Sequence, residues 1–497
     1  MIDAFQILSM ILNPEVVFAI VVAALYGLFI GTIPGLTATM ATALLVPFTF
    51  WLPPLPGLAM IITMSALAIF AGDIPATLIR IPGTPASAAF TQDSYELAKQ
   101  GKAGLVLGID LIIGGFLSGL FGVLMLILFA PPLAEFASSF TSIEYFWLCA
   151  FGLSTAVAVS TGSPIKGALS LLLGLFLASI GLDETYGFAR FTFGNVELLG
   201  GVSFIPAMIG IFGIPEIIRQ VSSEKVYESI AETRVKYILR DVLSVLRKYK
   251  INFVRSSLIG TFIGALPGAG ADIAAWVAYG VSKQFSREKD KFGKGSIEAI
   301  VDAGSANNSS LAGAWIPTLV FGIPGDSITA IVLGVLMMKG LRPGPLIFQQ
   351  QSDLVYALFT IFILANIIML PFGYLTIRLS SLLLKIPRNI LMPAILVFCI
   401  IGSYAINNSL FDVALMLILG IIAYFMEQNR FPTAPMVLGI VLQPILERQF
   451  MMSIIKTRGE VAPFFTRPIA AALSILTILA WLLPLISYVR EKLKNKT

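Results

Sequence analysis

Residues 260–276 read GTFIGALPGAGADIAAW. Apolar segments flank the stretch, yet its centre holds Gly264, Pro267, Gly268, Gly270 and Asp272. Proline removes a backbone N–H and strands the carbonyl four residues earlier, and glycine lets the chain turn and approach a ligand closely. In lipid, bare backbone polar groups cost several kcal/mol each, so such a turn survives only where protein or a watery cavity covers it. The stretch reads as the tip of a helix broken inside a membrane. Each arm of about 12 residues spans about 18 Å, enough to pass the midplane of a hydrocarbon core about 30 Å thick.

The rest of the chain agrees with a membrane setting. Of 497 residues, 57% are hydrophobic and 12% charged, against about 25% charged in soluble proteins. Apolar runs long enough to span a bilayer fall at 15–33, 103–130, 164–181, 353–377, 408–426 and 466–489. This predicts an all-α polytopic protein of roughly 11–14 hydrophobic elements, at about 20 residues per span. Sustained alternation of the kind porin strands show is not seen. The N-terminus has neither a basic n-region nor a small-residue cleavage site, so no cleaved signal peptide is expected. Cys149 and Cys399 lie in apolar segments and read as buried thiols. Histidine is absent, which excludes His-ligated metal or haem and imidazole proton relays. No metal or organic cofactor is expected.

An earlier stretch repeats the opening one. GLFIGTIPGL (27–36) matches GTFIGALPGA (260–269), and IPATLIRIPG (74–83) matches IPTLVFGIPG (316–325). The helix breaks at Pro34 and Pro82 thus correspond to those at Pro267 and Pro324. Paired, interrupted segments in two halves mark the binding site of a secondary transporter. Both flanks of 256–281, Arg255 and KQFSREKDKFGKG (283–295), are basic and prefer the cytoplasm, whereas the first 79 residues contain no Lys or Arg. A re-entrant hairpin in each half, in inverted orientation, accounts for this. YELAKQGKAG (95–104) and MMKGLRPG (337–344) occupy equivalent places and are both basic, so one of them must break the charge rule. The expected organisation is a first transmembrane repeat over 1–215, a charged cytoplasmic connector over 216–255, a second repeat over 256–465, and a last helix with a basic cytoplasmic tail over 466–497.

The polar residues near the breaks are the candidate ligands. For substrate they are Gly35, Thr37, Gly83, Thr84, Ser87, Gly268, Gly270, Asn307, Asn308, Gly325 and Ser327; for the coupling ion they are Asp272, Asp326 and Thr329. Neutral hydroxyls and amides can donate to a carboxylate or accept from water and Na⁺. Free N–H groups at helix starts suit anions, and free carbonyls suit Na⁺. Asp73 and Asp302 are further ionisable candidates, since a carboxylate inside a membrane helix usually faces a cavity. The blander alternative for Asp272 and Asp326 is helix capping. Arg80 either snorkels, pairs with Asp73 or steers anions.

On IPGTPASAAFTQDSYELAKQGKAGLVLG (81–108), GALPGAGADIAAWVAYG (264–280), FGKGSIEAI (292–300), SANNSS (305–310) and IPTLVFGIPGDS (316–327), the chain resembles the large membrane subunit of the tripartite tricarboxylate transporters, the TctA family. The resemblance implies a multi-pass permease of a bacterial inner membrane. It would import a di- or tricarboxylate with Na⁺ or H⁺, be fed by a periplasmic solute-binding protein and be assisted by a small membrane subunit. A homodimer is compatible with it; a nucleic-acid partner is not expected. The chain departs from the family pattern at Thr37, Ala303–Gly304 and Asp326. An added carboxylate at Asp326 suits a bound cation or a less anionic substrate. The competing function is an intramembrane enzyme acting on lipid or peptide through paired carboxylates. It has no G-x-S-x-G nucleophile motif to support it, and a Walker motif is also absent. A channel, the third class, would show flux without saturation or ion coupling.

Overall fold

The computed structural model describes residues 4–159, 163–183, 186–222, 238–384 and 388–494. The protein is an all-α polytopic membrane protein. Eight helices among the described residues are long and apolar enough to cross a bilayer, and five shorter apolar helices accompany them.

In chain order the helices begin with α1 (Ala4–Ile11), α2 (Pro14–Thr32), α3 (Ala38–Phe50), α4 (Pro54–Ala71), α5 (Asp73–Ile79), α6 (Thr91–Leu97) and α7 (Ala103–Ile109). A π-helical stretch, Asp110–Leu117, joins α7 to α8 (Ser118–Ala137), so the single apolar run seen at 103–130 is three helical pieces end to end. Then come α9 (Ser142–Val159), α10 (Pro164–Ala178), α11 (Phe204–Ser222), α12 (Ile238–Lys248), α13 (Lys250–Gly264), α14 (Gly270–Phe285) and α15 (Ile297–Phe321). The chain continues through α16 (Ser327–Met338), α17 (Ile347–Gln350), α18 (Ser352–Leu383), α19 (Arg388–Asn407), α20 (Leu410–Gln428), α21 (Ala434–Lys456), α22 (Pro463–Thr466) and α23 (Pro468–Lys494). A two-residue antiparallel pair, β1 (Gly181–Leu182) with β2 (Ala189–Arg190), decorates the loop after α10. The boundary expected at 215/216 falls inside α11, and part of the expected connector, 223–237, lies outside the described residues.

Two helices form the centre. Every residue of α4 after Pro54 is buried, and so is every residue of α15 from Ala299 to Val320. A helix that is covered all round must be packed by neighbours with small side chains, and glycines provide the approach. A Cβ on Gly27 would lie 3.0 Å from the Met64 Cα, and one on Gly31 would lie 3.0 Å from the Ala68 Cα. In the second half a Cβ on Gly260 would lie 2.7 Å from the Ala306 Cα, and one on Gly264 would lie 2.9 Å from the Ser310 Cα. Met64 and Ala306 each precede the repeated Ile-Pro segment by ten residues, and Ala68 and Ser310 each precede it by six. The repeat in the letters is therefore a repeat in packing: α2 lies on α4 as α13 lies on α15.

The second breaker also repeats in detail. Arg80 (φ 57°) and Gly322 (φ 68°) occupy the same left-handed position at the end of α5 and α15. The Ile81 N–H then donates to the Pro75 carbonyl at 3.3 Å, and the Ile323 N–H to the Pro317 carbonyl at 3.3 Å. A Cβ on Gly83 would lie 2.6 Å from the Gly72 Cα, and one on Gly325 would lie 2.6 Å from the Ala314 Cα. Glycine enters the left-handed region freely, whereas arginine there is strained.

Candidate functional site at the four helix breaks

Each break has a local cause. After α2 the chain becomes extended at Ile33, passes Pro34 and turns at Gly35 (φ 92°); the Thr37 hydroxyl then accepts from the Met40 N–H at 3.2 Å and starts α3. After α13 it passes Pro267, turns at Gly268 (φ 81°) and Gly270 (φ 59°), and starts α14. Beyond the Ile81-Pro82-Gly83 break, the Thr84 N–H donates to the Ser87 hydroxyl at 3.0 Å and the Ser87 N–H to the Thr84 hydroxyl at 3.0 Å. Beyond the Ile323-Pro324-Gly325 break, Asp326 and Thr329 form a reciprocal cap on α16. The Thr329 N–H donates to the Asp326 carboxylate at 2.7 Å, and the Asp326 N–H donates to the Thr329 hydroxyl at 2.9 Å. The two breaks of the second half are stapled together, the Gly268 N–H donating to the Gly325 carbonyl at 2.9 Å. The Thr155 hydroxyl of α9 donates to the Pro267 carbonyl at 3.1 Å and holds the tip from the other side.

These breaks surround one cavity of about 280 Å³. The first turns of four helices border it: Thr37–Thr39 of α3, Ala269–Asp272 of α14, Asp326–Ile328 of α16 and Thr433–Ala434 of α21. The positive ends of four helix dipoles therefore converge on one space, the arrangement that suits an anion, with part of the first-turn N–H groups of α3 and α16 already capped by Thr37, Asp326 and Thr329. The side chains oppose this field. Glu216, Asp272, Asp326 and Glu427 line the cavity against a single base, Arg219, for a formal charge of −3. Arg219 donates to Glu216 at 2.5 Å and also to Glu427. The Gln220 amide holds the other Glu216 oxygen at 2.6 Å. The Asp272 carboxylate faces the Ala86 backbone N–H, which ties α14 to the first-half break.

The candidate residues divide by position. Thr37, Thr84, Gly268, Gly270, Asp272, Asn307, Asp326 and Ser327 line the cavity. Ser87 is fully buried behind Thr84 and shapes it. Gly35 lies against Glu216 and Gln220, while Gly83 and Gly325 pack on neighbouring backbone. Thr329 is fully buried and spends its hydroxyl on the α16 cap, so the capping alternative for Asp326 is realised while Asp326 still faces the cavity. Asn308 points elsewhere: its amide donates to the Gly304 carbonyl at 3.2 Å, and it borders a separate small void with Gly119 and Asn366. The Asp73–Arg80 pairing is not formed. The Asp73 carboxylate is fully buried with no hydrogen-bond partner, and Arg80 is exposed with its guanidinium 5.9 Å from the Tyr95 ring centre, because its left-handed backbone turns it away. Asp302 is also away from the cavity, held by Asn252 at 2.9 Å, Arg255 at 3.1 Å, and the hydroxyls of Ser256 and Ser282.

Glu216, Arg219, Glu427 and Thr433 are cavity residues that sequence reasoning missed. Glu216 and Arg219 stand at the head of a long charged run, which drew them into the connector. The available signal was their spacing of three, one face of a helix, directly after the buried Pro215. A larger cleft of about 420 Å³ lies at the periphery between the β1–β2 loop and α21, lined by Arg190, Gln443, Glu447 and Arg448. It touches none of the breaks, so the smaller central cavity is the candidate site.

A family model described as "Tripartite tricarboxylate transporter TctA family" matches residues 17–438. The chain is 34% identical over 473 residues to the "Uncharacterized 52.8 kDa protein in TAR-I ttuC' 3'region" of Agrobacterium vitis, covering 95% of this chain and 93% of that protein. It is 35% identical over 233 residues to the "Uncharacterized protein in TAR-II ttuC' 3'region" of the same organism, covering 47% of this chain and 96% of that one. No solved structure matches the chain.

Proposed function

The chain belongs to the tripartite tricarboxylate transporter TctA family, and from that premise we propose that it is the permease subunit importing an organic anion, a di- or tricarboxylate, across the inner membrane. A periplasmic solute-binding protein delivers the substrate, and a small membrane subunit completes the assembly. The observation that carries the reading is the convergence of four helix starts on one internal cavity at breaks that recur in both halves. Carboxylates of the substrate dock at these helix starts and on the hydroxyls of Thr37, Thr84 and Ser327. In this reading the segment 256–281 and its first-half equivalent are re-entrant hairpins of inverted orientation, consistent with the basic flanks of the second and the absence of Lys and Arg from the flanks of the first.

The charge of the cavity supports cation coupling. An anion entering a space with four carboxylates and one guanidinium meets net repulsion unless positive charge comes with it. Na⁺ or H⁺ taken up beside Asp272 and Asp326 supplies that charge, so substrate and cation bind only together and an ion gradient drives import. The test is uptake into proteoliposomes of a panel of mono-, di- and tricarboxylates, with the solute-binding protein and small subunit present, under imposed Na⁺ or pH gradients. Saturable accumulation of one class, dependent on one gradient, is expected. Gradient-independent, non-saturating flux would overturn the reading.

A further inference from the structure

Away from the four breaks, the centre of the fold holds a second polar cluster. Asp73 opens α5 and is 0% exposed; Asp110 opens the π-helical stretch and is 1% exposed. Their elements are packed together, α5 on α7 and α4 on the π-helical stretch, and all four carboxylate oxygens lack a hydrogen-bond partner in the protein. By contrast, the equally buried Asp302 takes bonds from an amide, a guanidinium and two hydroxyls. A structural carboxylate is treated like Asp302. Two buried carboxylates on packed elements with no donor at all need their charge neutralised, by a bound cation or by a proton.

The surroundings supply further oxygens. Asp110 packs against Gly304 of α15, where a Cβ would come 3.5 Å from its Oδ1. That is van der Waals distance, so the Asp110 carboxylate lies directly against this turn of α15. Asn307 lies three residues on, hence on the same side of α15. It is 1% exposed, and both its amide oxygen and nitrogen lack partners. Pro75 carries no N–H, which leaves the Ala71 carbonyl, two residues before Asp73, without its helical donor. The π-helical turn at Asp110 is a local irregularity of the kind that marks functional positions. Carboxylates, an amide oxygen and a carbonyl make an all-oxygen set, which suits a hard cation.

We propose that Asp73, Asp110 and Asn307 form a buried Na⁺ site that touches the substrate cavity through Asn307. Asn307 lines that cavity, so it is shared between the two sites. Filling the cation site fixes the Asn307 amide and thereby one wall of the cavity. α4–α5, the π-helical stretch and α15 meet at this point, so the ion also clamps the first half of the chain to the second. The coupling role rests on the transport reading; the binding of Na⁺ does not.

The test uses the purified full-length chain in detergent or nanodiscs, with no substrate. Thermal unfolding is followed against NaCl, KCl and choline chloride at constant ionic strength, and ²²Na⁺ binding is measured by scintillation proximity. Na⁺ should stabilise the wild-type protein more than K⁺ or choline does. The apparent Na⁺ affinity should fall by about tenfold or more in Asp110→Asn, which keeps the shape of the side chain. Asn307→Ala, which leaves both carboxylates in place, should show a loss in the same direction and guards against a folding defect in the first variant. Equal stabilisation by all three salts would overturn the site, and so would wild-type Na⁺ affinity in both variants. A response to pH with none to Na⁺ would make the pair a proton site and overturn the proposal. Na⁺ binding of the expected kind in a protein that takes up no carboxylate would support the site while sinking the transport reading.

Discussion

Neutralising Asp326 separates its two jobs, because only one of them needs the charge. As the cap of α16, its carboxylate accepts from the Thr329 N–H at 2.7 Å and the Thr329 hydroxyl at 2.6 Å. Asparagine is as good an N-cap as aspartate, so Asp326→Asn keeps the cap and should cost only a few tenths of a kcal/mol, whereas Asp326→Ala loses it at about 1 kcal/mol, up to about 2. As a wall of the cavity, the carboxylate contributes one of four negative charges, and Asp326→Asn moves the formal charge from −3 to −2. A unit charge about 6 Å from a bound carboxylate repels it by about 3 kcal/mol at an effective dielectric of 20 and by about 0.7 kcal/mol at that of water. Carboxylate affinity in low cation should therefore rise between about threefold and about a hundredfold, and its dependence on the coupling cation should flatten. The assays are thermal unfolding of the purified variants and equilibrium binding of the carboxylate identified in the uptake panel, titrated with Na⁺ and with pH. Unchanged affinity at low cation, with the cation dependence intact, would refute the charge argument. Equal loss of stability in Asp326→Asn and Asp326→Ala would refute the capping argument.

The close packing of the two halves gives a matched steric test. A Cβ on Gly264 meets the Ser310 Cα at 2.9 Å and one on Gly31 meets the Ala68 Cα at 3.0 Å, so Gly264→Ala and Gly31→Ala should each destabilise by about 1–3 kcal/mol, as overpacking does; full retention of the melting temperature in both would show that α13 and α2 can shift freely. Ala269 lines the cavity beside the hairpin break, and the native Cys149 and Cys399 are buried. Ala269→Cys should react with small aqueous thiol reagents and be protected by substrate, and inertness under every condition would remove the break from the transport path.

Legibility from sequence followed the strength of the local physics. Pro34, Pro82, Pro267 and Pro324 were readable because breakers inside apolar runs have few uses, and their recurrence in order has a structural counterpart in the packing of Gly27, Gly31, Gly260 and Gly264 on two central helices. Thr37, Thr84, Gly268, Gly270, Asp272, Asn307, Asp326 and Ser327 were found by proximity to those breaks, and all line the cavity. The choice between Asn307 and Asn308 was not legible. Neighbouring residues on a helix point about 100° apart, and only the tertiary packing of α15 turns Asn307 to the cavity and Asn308 to the void beside Gly119 and Asn366. Glu216 and Glu427 were hidden for a different reason: each arrives from an element remote in sequence from the breaks, and a charge at the end of an apolar helix looks like an ordinary interfacial residue. Asp110 was passed over because one carboxylate in an apolar run has no partner within its own segment to give it meaning.

The two halves share a scaffold but carry different chemistry at equivalent places. The first half brings the hydroxyls of Thr37 and Thr84 to the cavity, and the second brings the carboxylates of Asp272 and Asp326. Each half brings a helix start at its hairpin break, α3 or α14, and the second half adds those of α16 and α21, while at the places equivalent to Asp272 and Asp326 the first half has only the hydroxyls of Thr39 and Thr84. On the proposed function, this asymmetry divides the labour: the substrate's carboxylate leans toward the first-half hydroxyls and the cation toward the second-half acids. Exchange of the polar groups between equivalent positions, by Asp272→Thr together with Thr39→Asp, preserves the total charge and both helix starts while moving the acid to the opposite wall. If the division holds, such a chain keeps its fold and loses joint binding of anion and cation, because the acid then stands where the substrate's carboxylate docks.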